Sequence, residues 1–163
     1  GSGLVGSEMC IRDSDITGLI GQYAHGNEPS HHMAYLYNWT DAPWKGAERL
    51  DFIMRNFYTN QPDGIIGNED CGQMSAWYVL SALGFYQVCP GIPVYAIGRP
   101  MVDKATIPVA GGNFQIIVKN NSPENKYVKE AKLNGKVLDS LFFPHADLVK
   151  GGTLEIEMTA VHP

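Results

Sequence analysis

The sequence lacks the features that mark several protein classes. It has only three cysteines, Cys10, Cys71 and Cys89, an odd number with no CxxC pair, so they form neither a disulfide framework nor a zinc site. No apolar run approaches the roughly 20 residues that span a bilayer, which argues against a transmembrane helix. The net charge of −5 argues against a nucleic-acid-binding protein, because such proteins normally carry a basic patch.

The remaining composition is that of a globular protein with two different regions. The 163 residues are 44% hydrophobic and 18% charged, enough for one domain or for one and a half small ones. Residues 1–100 contain five basic and ten acidic residues and all three tryptophans, whereas residues 101–163 contain seven of each charge. This asymmetry predicts two regions of different kinds.

Residues 1–14 resemble neither region. They show no periodicity that continues into the following segment, and they lack the charged start and apolar stretch of a signal peptide. We interpret them as a cloning or sequence-assembly artefact. An ordinary frayed N-terminus is the alternative.

Four helices are predicted before residue 90. Apolar spacings of three and four predict a first helix from Asp15 that ends at Gly26, and a second from Glu28 onward. A third helix is expected at about 44–58, with Asp41 as its N-cap. The fourth, 73–83, is apolar nearly all round, which predicts that it is fully buried.

After residue 90 the pattern changes to short apolar runs between turn signals. Strands are predicted at 94–97, 105–109, 114–118 and 154–158. The Asn134-Gly135 pair predicts a hairpin with a type I′ turn. The predicted fold class is therefore α+β, with four helices followed by five or six antiparallel strands.

One polar stretch, residues 25–32, combines an amide, a carboxylate, a hydroxyl and three imidazoles. On a helix, Glu28 shares a face with His31 and His32, and such spacing is able to ligate a transition metal. The alternative is a capped helix start with solvated histidines.

A second polar stretch lies in a 14-residue loop, 59–72, and long loops are often functional. Its adjacent carboxylates, Glu69 and Asp70, precede the fourth helix and are able to cap it. Alternatively, a carboxylate fixed there serves as a general base or as a ligand for a hard cation.

Aromatic residues near these acids suggest a carbohydrate site, because sugar C–H faces pack on aromatic rings. The candidates are Tyr35, Tyr37, Trp39, Trp44 and Trp77. Trp77 lies on the apolar helix and is expected in the core, whereas Trp44, beside a proline, is the better candidate for binding substrate.

Together these motifs resemble glycoside hydrolase family 92, whose members are calcium-dependent, inverting exo-α-mannosidases, many of them acting on α-1,2-linked mannose. The resemblance covers about residues 15–160. Its two longest matching segments are 26–32 (GNEPSHH) and 67–78 (GNEDCGQMSAWY). Shorter ones lie at 35–38, 62–64, 84–86, 95–104, 120–122 and 126–127.

The resemblance implies a C-terminal piece of a larger enzyme, with a β-sandwich and most of an (α/α)6 barrel upstream. Residues 15–90 would then be the last helices of the catalytic barrel, and residues 91–163 a β-rich C-terminal region. It also implies a periplasmic, cell-surface or secreted location and a role in degrading N-glycans.

The resemblance also implies roles for individual residues. Asp70 would be the general base, with Glu69 as its neighbour or stand-in. Asn27 and Glu28 would bind Ca²⁺, and His31 or His32 would hydrogen-bond the sugar. Histidine is a poor ligand for Ca²⁺, which counts against the transition-metal interpretation.

The general acid of the family lies upstream, so no residue of this chain is assigned that role. We therefore expect the chain alone to hydrolyse mannosides poorly or not at all and to expose apolar surface. The implied partners are a mannose-containing glycan and the upstream part of the same enzyme. Two alternatives remain: a carbohydrate-binding module formed by residues 90–163, and a structural α+β module whose polar clusters only cap helices.

Overall fold

The computed structural model describes residues 17–162. The leader predicted at residues 1–14 and the predicted helix start at Asp15 lie outside this range. The first half contains a two-stranded hairpin, two 3₁₀ helices and two α-helices. In chain order these are β1 (Leu19–Ile20), β2 (Tyr23–Ala24), the 3₁₀ helices Glu28–Ser30 and Met33–Trp39, α1 (Pro43–Asn56) and α2 (Gln73–Leu83).

The second half is mainly β-structure, as predicted. Its elements are β3 (Phe85–Tyr86), β4 (Val94–Ile97), β5 (Lys104–Val109), β6 (Gly112–Lys119), β7 (Tyr127–Leu133), β8 (Lys136–Val137), β9 (Phe142–Pro144), α3 (His145–Val149) and β10 (Gly152–Thr159). They form a five-stranded sheet, β5-β6-β10-β7-β8, and a three-stranded sheet, β3-β4-β9. The α+β fold class is confirmed.

The predicted first helix is wrong over its described part. Its apolar residues lie instead on the antiparallel pair β1–β2. The two strands are joined by the two-residue loop 21–22, and Gly21 has φ +62°, a conformation that glycine adopts without strain. The backbone N–H of His25 then bonds the carbonyl of Gly18 at 3.0 Å. The hairpin therefore places residues 25–28 at the start of the 3₁₀ turn that begins at Glu28.

The second predicted helix forms as two 3₁₀ segments, because Pro29 and the tight turn after it do not continue an α-helical ladder. The prediction of Asp41 as an N-cap is wrong. Ala42 occupies the N-cap position of α1, and Pro43 begins the helix, where its fixed φ and missing N–H are tolerated.

Helices α1 and α2 lie close to their predicted positions. Gly84, with φ +97°, ends α2, as expected of a glycine C-cap. The prediction that α2 is buried all round is wrong for the described residues. Met74 and Trp77 are fully buried, but Val79 on the opposite face is 54% exposed, so only one side of the helix packs against this chain.

The five-stranded sheet is mixed and not wholly antiparallel. Strand β10 lies between β6 and β7, parallel to β6 and antiparallel to β7. Strand β10, the last strand of the described residues, therefore separates β6 and β7, which follow each other in sequence. The hairpin at Asn134-Gly135 is confirmed, since both residues have positive φ, 50° and 81°, as a type I′ turn requires.

Polar contacts join the helical half to the β half. The side-chain amide of Asn38 donates to the carbonyl of Ile97 at 2.8 Å, and the hydroxyl of Tyr127 donates to Glu48 at 2.8 Å. Within residues 17–162, no helix has the length and apolar character needed to cross a membrane.

A buried ion cluster reinforces this junction. Asp51 of α1 is 4% exposed and Arg99, after β4, is 1% exposed; their side chains meet at 2.9 Å. The same carboxylate contacts Arg55 at 2.9 Å and Lys126 at 3.6 Å. Arg99 also donates to the carbonyl of Ser122 at 2.8 Å. A buried charge must be paired. Removing the Arg99 guanidinium would therefore leave the buried Asp51 carboxylate with too little positive charge around it.

We therefore expect Arg99→Leu to lower the free energy of unfolding by about 3–5 kcal/mol, the range for breaking a buried ion pair. The control is Lys119→Met, which breaks the pair with Glu155 at a lysine side chain that is 58% exposed, and should cost less than about 1 kcal/mol. Urea unfolding measures both. Equal losses in the two variants would contradict the assigned importance of the buried cluster.

Candidate active site

The structure brings the two polar motifs together through one pair of carboxyl groups. Glu28 lies in the first 3₁₀ helix and Asp70 lies in the loop before α2, yet their carboxyl groups come close enough to interact. Hydrogen bonding with Glu28, followed by partial desolvation and the negative charges of Glu28 and Glu69, raises the pKa of Asp70, although nearby His31 opposes the shift. The pair therefore either shares a proton or is ready to hold a cation.

The backbone beneath Asp70 is in a rarely used conformation. Asp70, Cys71 and Gly72 have φ values of 49°, 57° and 92°, so three consecutive residues lie in the left-handed region and two of them carry side chains. Such strain concentrates at functional sites and persists only where surrounding contacts fix it. The N–H groups of Gln73 and Met74 supply such contacts, bonding the carbonyls of Asp70 and Glu69 at 3.2 and 3.3 Å.

Glu69 faces the start of α2. Its two carboxylate oxygens accept from the backbone N–H and the hydroxyl of Ser75, at 3.0 and 2.9 Å. This is the helix-capping role that was one of the two alternatives for Glu69 in the sequence. It satisfies the backbone N–H of Ser75, a donor of the first helical turn. The structure thus separates the adjacent acids: Glu69 anchors the helix and Asp70 faces Glu28. The catalytic role implied for Glu69 stays a prediction.

His31 is 1% exposed and lies behind the carboxyl pair. Its Nε2 is 2.9 Å from the carbonyl of His25, and its Nδ1 is 3.3 Å from the side-chain amide of Gln73. The indole N–H of Trp77 donates to the His31 carbonyl at 3.0 Å. Both ring nitrogens are thus already bonded within the protein, and desolvation lowers the pKa of His31.

His25 is a buried residue that sequence reasoning did not single out as part of the site. It stacks on the His31 ring with centroids 4.7 Å apart and meets the Trp77 ring edge-on at 4.4 Å. Its two nitrogens are each 2.7 Å from a tyrosine hydroxyl, those of Tyr23 and Tyr58. The only sequence signal was its place beside the GNEPSHH motif, because pairing with two distant tyrosines depends on the fold.

Burial keeps His25 neutral. Desolvation, with a smaller contribution from His31, lowers the pKa of His25 from 6.5 to about 3. Since the Tyr58 hydroxyl can donate to the Met74 carbonyl at 3.2 Å, His25 donates from Nε2 to Tyr58 and accepts at Nδ1 from Tyr23. The buried, hydrogen-bonded imidazole rings of His25 and His31 therefore lie behind the carboxyl groups of Glu28 and Asp70 and support them.

The other predicted site residues are placed differently. Asn27 directly precedes Glu28, and its carbonyl accepts from Ser30. His32 is half-buried at the start of the second 3₁₀ helix. Trp44 lies on α1, where its ring stacks on His162 at 5.1 Å. The pocket that it lines contains none of the residues around Asp70.

The donor atoms at the pair suit a hard cation better than a transition metal. Carboxylate oxygens of Glu28 and Asp70, with the amide of Asn27 next in sequence, are the ligand types that Ca²⁺ prefers. Across residues 17–162 no group of three or more His, Cys, Asp and Glu side chains is arranged to hold a metal. Because Ca²⁺ takes about 6–8 oxygen ligands, the pair fits as part of a calcium site that needs further oxygens.

The sequence model of the glycosyl hydrolase family 92 catalytic domain matches residues 6–160. The chain belongs to glycosyl hydrolase family 92. The resemblance seen in the two motifs is thus confirmed over nearly the whole chain.

Solved structures of family 92 share this fold. The α-mannosidase BT3965 from Bacteroides thetaiotaomicron, in complex with mannoimidazole, is 44% identical with a TM-score of 0.85, over 90% of this chain and 20% of that one. The inverting mannosidase BT2199 from the same organism is 40% identical with a TM-score of 0.79, over 97% of this chain and 20% of that one.

A protein relative from another organism also matches the chain. The chain is 31% identical over 137 residues to an uncharacterized secreted glycosidase from Arthroderma benhamiae, over 82% of this chain and 18% of the relative. The chain thus spans about a fifth of the length of the proteins that it matches.

The buried imidazole gives a pH-dependent stability. An unfolded chain protonates His25 near pH 6.5 and the folded chain only near pH 3, so the unfolded state binds more protons between these values. Stability is therefore lost as pH falls below about 6.5. From pH 7 to pH 5 the contribution of His25 should decrease by about 2 kcal/mol.

Urea unfolding of the wild type and His25→Gln at pH 7, 6 and 5 measures this effect. The wild type should lose about 2 kcal/mol more than the variant over this range. His145→Gln, at an exposed histidine, should keep the wild-type loss because His25 is still present. Parallel curves for the wild type and His25→Gln would contradict a buried neutral imidazole.

Proposed function

We propose that this chain forms part of the catalytic site of a calcium-dependent, inverting exo-α-mannosidase that removes terminal, preferentially α-1,2-linked mannose from glycans. The observation that carries the proposal is the contact between the carboxyl groups of Glu28 and Asp70. It joins the residue implied in calcium binding to the residue implied as general base, in a chain that belongs to glycosyl hydrolase family 92.

Asp70 is the proposed general base. In an inverting reaction, a carboxylate takes a proton from the water that attacks the anomeric carbon, while an acid on the other side gives a proton to the leaving oxygen. A base works best when its pKa lies near the operating pH, and the contact with Glu28 shifts Asp70 upward, in that direction. The left-handed loop and the α2 N-terminus hold the carboxyl group in place.

Glu28 and Asn27 are the proposed calcium ligands. Calcium, when bound, supplies positive charge that orients sugar hydroxyls and favours a distorted ring. Glu28 is suited to this role because its turn is pinned by the buried His31, which directly follows the helix. The remaining oxygen ligands would come from water, the sugar or the rest of the catalytic domain.

The substrate class rests on the relatives. BT3965 was solved with mannoimidazole and BT2199 is named an inverting mannosidase. The Arthroderma relative is named a secreted glycosidase, which supports the proposed periplasmic, cell-surface or secreted location. The proposed role is in N-glycan degradation. The general acid is proposed to lie in the upstream part of the same enzyme, so the chain alone should release little or no mannose.

Catalysis is best tested in a chimera in which this chain replaces the matching segment of BT3965. The chimera should release mannose from α-1,2-mannobiose, and the 163-residue chain alone should not. In the chimera, Asp70→Asn should lower kcat by about 10²- to 10⁴-fold, the usual contribution of a general base.

The matched control for that experiment is Asp139→Asn, which changes an exposed aspartate of the β half and should leave kcat unaltered. Full activity of the Asp70→Asn chimera would refute the assigned base. Mannose release by the isolated chain would refute the need for an upstream acid. The anomeric form of the first product, read by proton NMR, distinguishes inversion from retention.

Calcium binding is tested on the chimera by titration calorimetry, because the remaining oxygen ligands are proposed to come partly from the rest of the catalytic domain. Glu28→Gln should weaken Ca²⁺ binding by at least about tenfold, the lower limit seen when even an outer-shell partner of a metal is lost. Glu130→Gln, at a carboxylate on β7 that pairs with Lys132, should leave the affinity unchanged. Equal affinity in the wild type and Glu28→Gln, or undiminished activity of the chimera in a chelator, would refute the calcium role.

A further inference from the structure

Gln73 contacts both of the segments that carry the acidic pair. Its backbone N–H bonds the carbonyl of Asp70 at 3.2 Å. Its side-chain amide lies 3.3 Å from Nδ1 of His31 and 3.2 Å from the hydroxyl of Tyr86. We propose that Gln73 is a positioning residue, which holds the Glu28 turn against the Asp70 loop through its bond to the buried His31 ring. The choice of this site rests on the function proposed above.

The direction of the bond follows from the neighbouring groups. Nε2 of His31 faces the carbonyl of His25 at 2.9 Å, and a carbonyl only accepts, so Nε2 carries the proton. In the neutral ring Nδ1 then accepts. The partner of Nδ1 must donate, and the –NH₂ group of Gln73 does so.

The bond between Gln73 and His31 restrains Glu28 through one further hydrogen bond. The backbone N–H of His31 donates to the carbonyl of Glu28 at 3.1 Å, which closes the turn. The His31 ring is fixed on its other side by stacking on His25, and its carbonyl is held by Trp77. Movement of the ring would therefore move the turn and the carboxyl group that it carries.

A link of this kind is needed because two carboxylates in contact repel each other when both are ionised. Asp70 is exposed, and its loop is in a strained conformation, so repulsion would separate the two segments unless something ties them. Within residues 17–162, Gln73 combines a backbone bond to the Asp70 loop with a side-chain bond to the residue that closes the Glu28 turn.

The first test is the proton position on His31 in the wild-type chain, read by ¹⁵N NMR of the imidazole. The expected form carries its proton on Nε2, with a hydrogen-bonded Nδ1. A proton on Nδ1 would overturn the proposal, because the amide of Gln73 would then have no acceptor on the ring. This test requires no variant, so it decides even where a substitution prevents folding.

The second test compares Gln73→Met with Gln87→Met, the same substitution at another glutamine, whose amide bonds only an exposed carbonyl at 3.3 Å. Gln73→Met should speed amide hydrogen exchange in both segments, 28–32 and 68–72, and shift the His31 Nδ1 signal towards that of an unbonded acceptor. Gln87→Met should do neither. Gln73→Asn, too short to reach the ring, should act as Gln73→Met does.

Ca²⁺ titration links this role to the proposed site. Gln73→Met should weaken Ca²⁺ binding by about 10- to 100-fold, as expected for a residue that orients ligands without touching the metal. Unchanged affinity or unchanged exchange in both segments would overturn the positioning role. These titrations use the chimera. Absence of Ca²⁺ binding by the chimera with the wild-type segment would refute the calcium proposal alone, and the exchange and NMR results would still decide the role of Gln73.

Discussion

The buried ring of His31 is the contact on which the candidate site depends. Its two nitrogens bind the hairpin side and the α2 side of the fold, at the carbonyl of His25 and the amide of Gln73. Because the ring is 1% exposed, water does not compete for these bonds, and the low local dielectric strengthens them. Glu28 and Asp70 meet in front of this ring. When both carboxyl groups are ionised they repel each other, so the bonds of the neutral His31 ring behind them hold the two segments together.

The two acids of the loop show how similar residues take different roles. Glu69 satisfies the N-terminus of α2, whereas Asp70 sits in a left-handed conformation and faces another carboxyl group. The bonds from Ser75 to Glu69 fix the strained turn to the start of α2. A stable α2 helix therefore also restrains Asp70. In the proposed function this arrangement has a chemical meaning, because a general base and a cation ligand would act on the same sugar.

The β half contributes to the site by supporting the helices. The pair Asp51–Arg99 and the bond from Asn38 to Ile97 join α1 and the second 3₁₀ helix to the strands. The outer ion pairs of the sheet, such as Lys119–Glu155, involve exposed lysines and contribute little to stability. The charge asymmetry of the sequence therefore has a structural counterpart: the β half balances its charges in surface pairs, and excess acid remains in the helical half that holds the candidate site.

Local patterns in the sequence were sufficient for α1, α2, the main strands and the Asn134-Gly135 turn, because periodicity, capping glycine and turn residues act over a few neighbours. The long motifs also identified the family, and they predicted Glu28 and Asp70 as site residues. Their contact spans 42 positions of sequence, and no local signal encodes it. The same holds for the hairpin at residues 19–24, where strand pairing replaced the expected helix, for the parallel pairing of β10 with β6, and for His25. These features depend on which distant groups become neighbours when the core is buried, so only the tertiary structure decided them.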